Sequence, residues 1–245
     1  MAYSKLLIFA LMALILWLPS ISMAVASDTV VLLHGIARSK GSMENMAENL
    51  SRKGYEVINI DYASRKKTID TLAADIHKEI KSRRVNAGKI HFVGHSMGGL
   101  IIRAYIHKYK PKDLGRVVML GTPNGGSQVA DLLKDNFLYI NYYGPAGQQL
   151  VTDQNGFKEI FGNVDYELGV IAGDRSIDPV SSLLIITGDD DGKVSIENTK
   201  IKGMKDHITI HATHTFMPSN TEVIRQTEYF LQHGSFLQEQ PPAGE

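Results

Sequence analysis

The stretch "HFVGHSMGGLIIRAYI" (His91–Ile106) constrains this chain more than any other. A short apolar run ends at Val93, Gly94 and Gly98 flank Ser96 at two residues' distance, and an almost wholly apolar segment follows. The run before Gly94 reads as a strand buried on both faces, and Gly98–Tyr109 reads as a buried helix. A strand that turns directly into a helix strains the residue at the corner and crowds the positions two before and two after it. Only small side chains relieve that crowding, which accounts for both glycines. Ser96 is thereby raised above the strand ends, and the Met97 N–H, at a helix N-terminus, points into the same space.

The rest of the chain supplies a fitting frame. "TVVLL" (Thr29–Leu33), "YEVINI" (Tyr55–Ile60), "KIHFV" (Lys89–Val93) and "VVML" (Val117–Leu120) read as strands. Helical patterns separate them: Met43, Met46, Ala47 and Leu50 behind a Ser42 cap, then Ile69, Leu72, Ala73, Ile76 and Ile80 behind a Thr68 cap. Strands alternating with amphipathic helices predict an α/β fold, with a mainly parallel sheet covered by helices on both faces. After a short helical stretch, Ser127–Lys134, the rhythm loosens from Asn136 to Phe161 without a clean period. That length suits a small cap or lid insertion, roughly residues 135–165, better than a simple connection. "ELGVIAG", "SLLIITG" and "DHITIH" recover strand character, and Thr221–His233 reads as a closing helix. The tail "QEQPPAGE" is expected to be disordered.

The first 26 residues do not belong to that frame. Lys5, an apolar run from Leu6 to Leu18 and Ala24-Val25-Ala26 have the form of a cleaved export signal, and the run is too short for a comfortable membrane span. Residues 27–245 are then the functional domain, periplasmic or secreted; the alternative is an uncleaved N-terminal anchor. With no cysteine in the chain, no disulfide supports the domain outside the cytosol. Formal net charge is zero, and loss of Lys5 leaves 25 basic against 26 acidic side chains. Such a balance carries no electrostatic footprint for nucleic acid or an anionic membrane.

Gly94-x-Ser96-x-Gly98 has the spacing of a nucleophile elbow, and a serine hydroxyl is a weak nucleophile until an adjacent base takes its proton. That base in turn needs an orienting carboxylate. Nine histidines are available. In the hydrolases that this elbow resembles, the base follows the serine and the acid in the chain, which implies His207, His211, His214 or His233. His233 has a structural reason to exist at the end of the last helix. His214 lies in a loop after the last strand, where a base can reach over the carboxyl edge of the sheet. The cluster "GDDDGKVS" (Gly188–Ser195) offers the acid, with Asp190 and Asp191 both open and Asp178 a remote competitor. The Met97 amide is one donor for the charge that develops on a carbonyl oxygen. The second donor is expected from His34-Gly35-Ile36, the loop after the first strand.

Metal chemistry fits poorly. His207, His211 and His214 match neither H-E-x-x-H nor zinc-finger spacing. In a calcium loop with Gly192 sixth, Thr187 and Asn198 would stand where Asp and Glu are needed.

Taken together, "VVLLHGI", "VGHSMGGLIIR", "MLGTPNGGS", "GVIAGDRS", "DDGKVS" and "THTFM" resemble the bacterial lipase-like serine esterases of the α/β-hydrolase fold. The resemblance spans most of the mature chain. It implies Ser96 as nucleophile, Asp191 as the aspartate before the glycine, His214 in the "THTFM" motif, and Ile36 and Met97 amides as the oxyanion hole. It implies hydrolysis of carboxylic esters, lipid-like ones foremost, through an acyl-enzyme, with no cofactor and no metal. Partners would be a small ester or lipid substrate and no nucleic acid, with room for transient contact with a lipid surface. An acyltransferase or thioesterase would use the same triad; a non-catalytic hydrolase-fold binding protein would need none of it. "NFLYINYYGP" (Asn136–Pro145) would line a hydrophobic pocket or pack on the core.

Overall fold

A computed structural model of the chain describes residues 27–85, 87–153, 158–176 and 188–238. The expected export signal (1–26), the strand expected over 182–187, Asp178 and nearly all of the expected disordered tail lie outside the described residues.

Among the described residues six strands form one sheet: β1 (Thr29–Leu33), β2 (Glu56–Ile60), β3 (Ile90–His95), β4 (Leu114–Leu120), β5 (Leu168–Gly173) and β6 (Asp206–Ile210). Their order is β2-β1-β3-β4-β5-β6, and every neighbouring pair is parallel. Parallel neighbours need crossovers, and helices supply most of them. The crossover helices are α1 (Glu44–Arg52), α2 (Ile69–Arg83), α3 (Met97–Tyr109), α4 (Gln128–Leu133), α5 (Phe137–Gln148), α6 (Lys158–Phe161) and α7 (Ile196–Thr199), and α8 (Thr221–His233) follows the last strand.

The two-residue period of a strand divides the core. Val31, Leu33, Ile90 and Phe92 face Ile69, Leu72 and Ile76 of α2, together with α3. Val30, Leu32, Val93 and Val118 face Met46 and Leu50 of α1 and Val223 and Phe230 of α8. Burial on both sides explains why β1, β3 and β5 are buried at every residue. The α3 helix is buried from Met97 to Ile106, which requires its nearly continuous apolar sequence.

Several helix starts differ from the sequence reading. Ser42 does not cap α1: a 3-10 turn over Lys40–Met43 precedes the helix, and the Ser42 hydroxyl donates to the Ser39 carbonyl instead. Thr68 occupies the N-cap of α2, but its hydroxyl bonds Thr71 Oγ1 rather than a helix amide. The aperiodic stretch after Asn136 contains α5, capped by Asn136 Oδ1 accepting from the Leu138 and Tyr139 amides and bent at Gly144 (φ 63°) before Pro145. The closing helix α8 has the boundaries expected, with the Asn220 side chain capping it and Gly234 (φ 76°) ending it.

The topology creates a crevice. From β1 the chain crosses to β2 on one side, and from β2 it returns to β3 on the other, so the connections part at the β1/β3 boundary. Parallel sheets of this kind take ligands at the carboxyl ends of the strands where the connections diverge. The loop after β1 and the β3–α3 corner both lie there.

Candidate active site

The β3 strand ends at His95 and α3 begins at Met97, so Ser96 alone makes the turn. Its φ of 53° and ψ of −125° lie where a non-glycine residue costs on the order of 1–3 kcal/mol. Neighbouring groups hold it there. The Ser96 amide donates to the Leu120 carbonyl at 2.8 Å, while the Ser96 carbonyl accepts from the Gly99 amide and from Thr122 Oγ1, both at 3.0 Å. A Cβ on Gly94 would sit 2.6 Å from the Gly99 nitrogen, and one on Gly98 would collide with the Leu33 and His34 carbonyl oxygens. Both glycines are therefore required by close approach of backbone.

Above the corner, His214 Nε2 stands 2.9 Å from Ser96 Oγ, and His214 Nδ1 stands 2.7 Å from Asp191 Oδ2. A carboxylate accepts, so Nδ1 carries the proton and Nε2 presents its lone pair to the serine hydroxyl. Asp191 is 1% exposed. Its other oxygen, Oδ1, accepts from the Lys193 amide at 3.0 Å and the Val194 amide at 2.9 Å, which satisfies the buried charge. The His214 amide also donates to the Asp191 carbonyl at 2.9 Å, so one residue fixes both the ring and the backbone of the histidine.

The remaining sequence candidates lie elsewhere. Asp190 Oδ1 accepts from the Gly192 amide at 2.6 Å, tightening its own turn. His211 pairs with Asp174 on the surface at 3.0 Å, His207 Nε2 lies 3.1 Å from Thr199 Oγ1, and His233 Nδ1 donates to the Tyr229 carbonyl at 3.0 Å.

The loop after β1 is locked from behind. His34 is fully buried, stacks on Tyr62 at 4.0 Å and donates from Nδ1 to the Gly35 carbonyl at 2.8 Å. The Tyr62 hydroxyl donates to the His34 carbonyl. Burial pushes the His34 ring below its ordinary pKa, although the Gly35 bond and Asp61 oppose the shift, so the ring acts as a neutral wedge. Gly35, Ile36 and Ala37 face the cavity that holds Ser96 and His214. Met97 opens α3, so its amide has no carbonyl within the helix to bond.

Three supporting residues escaped the sequence reading. Thr122, in the "GTPNGGS" loop, holds the Ser96 carbonyl as described. Gly121 (φ 55°) passes so near the Asp191–His214 contact that a Cβ there would lie 2.9 Å from Asp191 Oδ2. His95 is 2% exposed and donates from Nε2 to the His214 carbonyl at 2.9 Å; burial first, and the neighbouring His214 second, push its pKa well down. The buried strand end could have flagged His95, whereas nothing local marks Thr122.

The cavity measures about 390 Å³. Val129, Ala130, Leu133 and Leu150 give it an apolar side, and Tyr139, Tyr142 and Tyr143 of α5 close another. The "NFLYINYYGP" stretch thus contributes to the pocket through its tyrosines, while Phe137 and Leu138 remain exposed. Among the described residues no group of three His, Cys, Asp or Glu side chains could hold a metal ion.

Residues 28–167 match the family model of the alpha/beta hydrolase fold. The chain belongs to that family. Among similar proteins, Lipase 1 of Psychrobacter immobilis is 33% identical over 98 residues, 37% of this chain and 30% of the relative. The 2-hydroxy-6-oxononadienedioate/2-hydroxy-6-oxononatrienedioate hydrolase of Escherichia coli is 29% identical over 109 residues, 40% of this chain and 38% of the relative. The chain thus matches well under half the length of these curated relatives. Among solved structures, the mature form of Bacillus licheniformis lipase BlEst2 superposes with a TM-score of 0.71 at 22% identity, covering 87% of this chain and 95% of the other. At that identity the likeness shows a shared fold.

Proposed function

We propose that this alpha/beta hydrolase cleaves carboxylic esters, lipid-like ones foremost, through Ser96, His214 and Asp191. The observation that carries the reading is the continuous contact from Ser96 Oγ through both imidazole nitrogens to a buried carboxylate, 2.9 and 2.7 Å in length. Ser96 Oγ attacks the ester carbonyl while His214 Nε2 takes the hydroxyl proton. The oxyanion that forms is held by the Ile36 and Met97 amides, and Asp191 stabilises the imidazolium. Collapse breaks the C–O bond to the alcohol, which leaves with the proton from His214. Water then attacks the acyl-serine, His214 takes its proton, and the carboxylic acid departs as Ser96 recovers its hydrogen. Every step uses side chains and amides of this chain.

The apolar side of the cavity supports a hydrocarbon acyl group, and the lipase names among its relatives point the same way. Export to the periplasm or medium is part of the proposal and rests on residues 1–26 alone. The test is hydrolysis of p-nitrophenyl esters from acetyl to palmitoyl by the chain from Ser27 onward, with Ser96→Ala in parallel. Turnover that vanishes in the folded variant supports the reading, and the best chain length sizes the acyl pocket. A folded wild type that is inert on the whole series and also forms no fluorophosphonate adduct would favour a non-catalytic binding protein.

A further inference from the structure

Beside the cavity of Ser96 lies a second depression of about 520 Å³, and the two share Ala37, Arg38 and Tyr142. Arg65 and Lys66 join Arg38 in lining it, against a single carboxylate, Asp61. Three cations to one acid is a local imbalance in a chain whose formal charge is zero. Asp61 is already engaged: it accepts from the Lys40 amide at 3.0 Å. Elsewhere on the surface Lys53, Lys67, Arg84 and Arg116 are each bonded to a carboxylate. Among the described residues, Arg38, Arg65 and Lys66 have no such partner.

Two of these side chains are also oriented. Arg38 donates from Nη2 to Thr215 Oγ1 at 3.1 Å, tying the loop that carries Ile36 to the residue after His214. Arg65 donates to the Tyr142 carbonyl at 3.4 Å and sets its guanidinium 5.1 Å from the Tyr142 ring centre. A guanidinium has five donors, so each keeps most of its hydrogen-bonding capacity for a ligand. Val129, Ala130, Leu133 and Leu150 line the first cavity and not the second. An acyl chain suits that apolar wall, which leaves the Arg38 side to the alcohol half of the ester.

We propose that the depression is a subsite for an anionic group, phosphate or carboxylate, on the alcohol half of the ester. The inference rests on the ester-hydrolase reading above and gives its substrate class. The anion meets Arg65 and Lys66, while Arg38, at the shared wall, touches both halves of the bound ester.

The test compares kcat/KM for three butyrate esters: 1-butyryl-glycerol, 1-butyryl-glycerol 3-phosphate and 3-O-butyryl-glycerate. The wild type is expected to favour at least one anionic ester over the neutral one by about tenfold, and the preference should shrink in 0.5 M NaCl, where screening shortens to a few ångströms. The Arg65→Gln/Lys66→Gln variant should lower the anionic-to-neutral ratio about five- to tenfold, and Arg65→Lys should retain most of it. The phosphate and carboxylate arms tell which anion is meant. Equal rates on all three esters, or a ratio unchanged in the double variant, would overturn the subsite and leave the hydrolase reading standing. A folded protein inert on all three that also forms no fluorophosphonate adduct would remove both.

Discussion

At the scale of single residues, the geometry separates two neighbours that residue pattern alone leaves open and that only the family resemblance distinguishes. Asp190 and Asp191 are both buried, yet Asp190 turns its carboxylate to a local amide and Asp191 turns one oxygen to His214. Replacing Asp191 by Asn keeps the shape and removes the acceptor that fixes the imidazole tautomer. The expected loss in kcat is on the order of 10³- to 10⁴-fold, while Asp190→Asn should cost less than about tenfold. Steady-state ester hydrolysis by the two folded variants checks this, and equal losses would contradict the assignment. Ser96 itself was legible because the strain of its corner demands two glycines at fixed spacing. Thr122 was not, because its role is to meet a carbonyl 26 residues away, which no local pattern encodes.

At the scale of elements, the parallel strands were readable from their apolar runs, and the helices α2, α3 and α8 from one-sided or complete apolarity. The α5 helix was hidden for two physical reasons. Gly144 and Pro145 interrupt its period, and Phe137, Leu138 and Tyr142 are apolar yet exposed, so hydrophobic positions do not mark its buried face. The start of α1 was misread because Ser42 has the composition of a cap but sits inside a 3-10 turn. Since α5 supplies three tyrosines to the cavity, its first turn matters to the site. Asn136→Ala removes the cap on the Leu138 and Tyr139 amides and should cost about 1 kcal/mol locally. Hydrogen exchange should accelerate in α5 with the sheet unaffected; an unchanged α5 would show that tertiary contacts alone hold it.

For the whole molecule, the buried histidines set how the fold responds to acid. His34, His91 and His95 lie against the sheet at 0–4% exposure, and burial is the first cause that lowers each pKa, opposed at His91 by Asp28. In the unfolded chain these rings protonate near pH 6.5. Below that pH the unfolded state binds more protons than the native state, so stability falls with falling pH by up to about 1.4 kcal/mol per pH unit for each ring. Urea denaturation midpoints should therefore drop between pH 7 and pH 5, before carboxylate protonation contributes. A midpoint constant over that range would contradict neutral burial of these rings.

Activation of Ser96 by His214 can be read from covalent labelling by a fluorophosphonate. Intact-mass analysis with peptide mapping should find one adduct per chain, on Ser96, formed at least about 10³-fold more slowly in folded His214→Ala. A folded wild type that takes no label, takes it at another residue, or labels equally fast without the histidine would contradict the account.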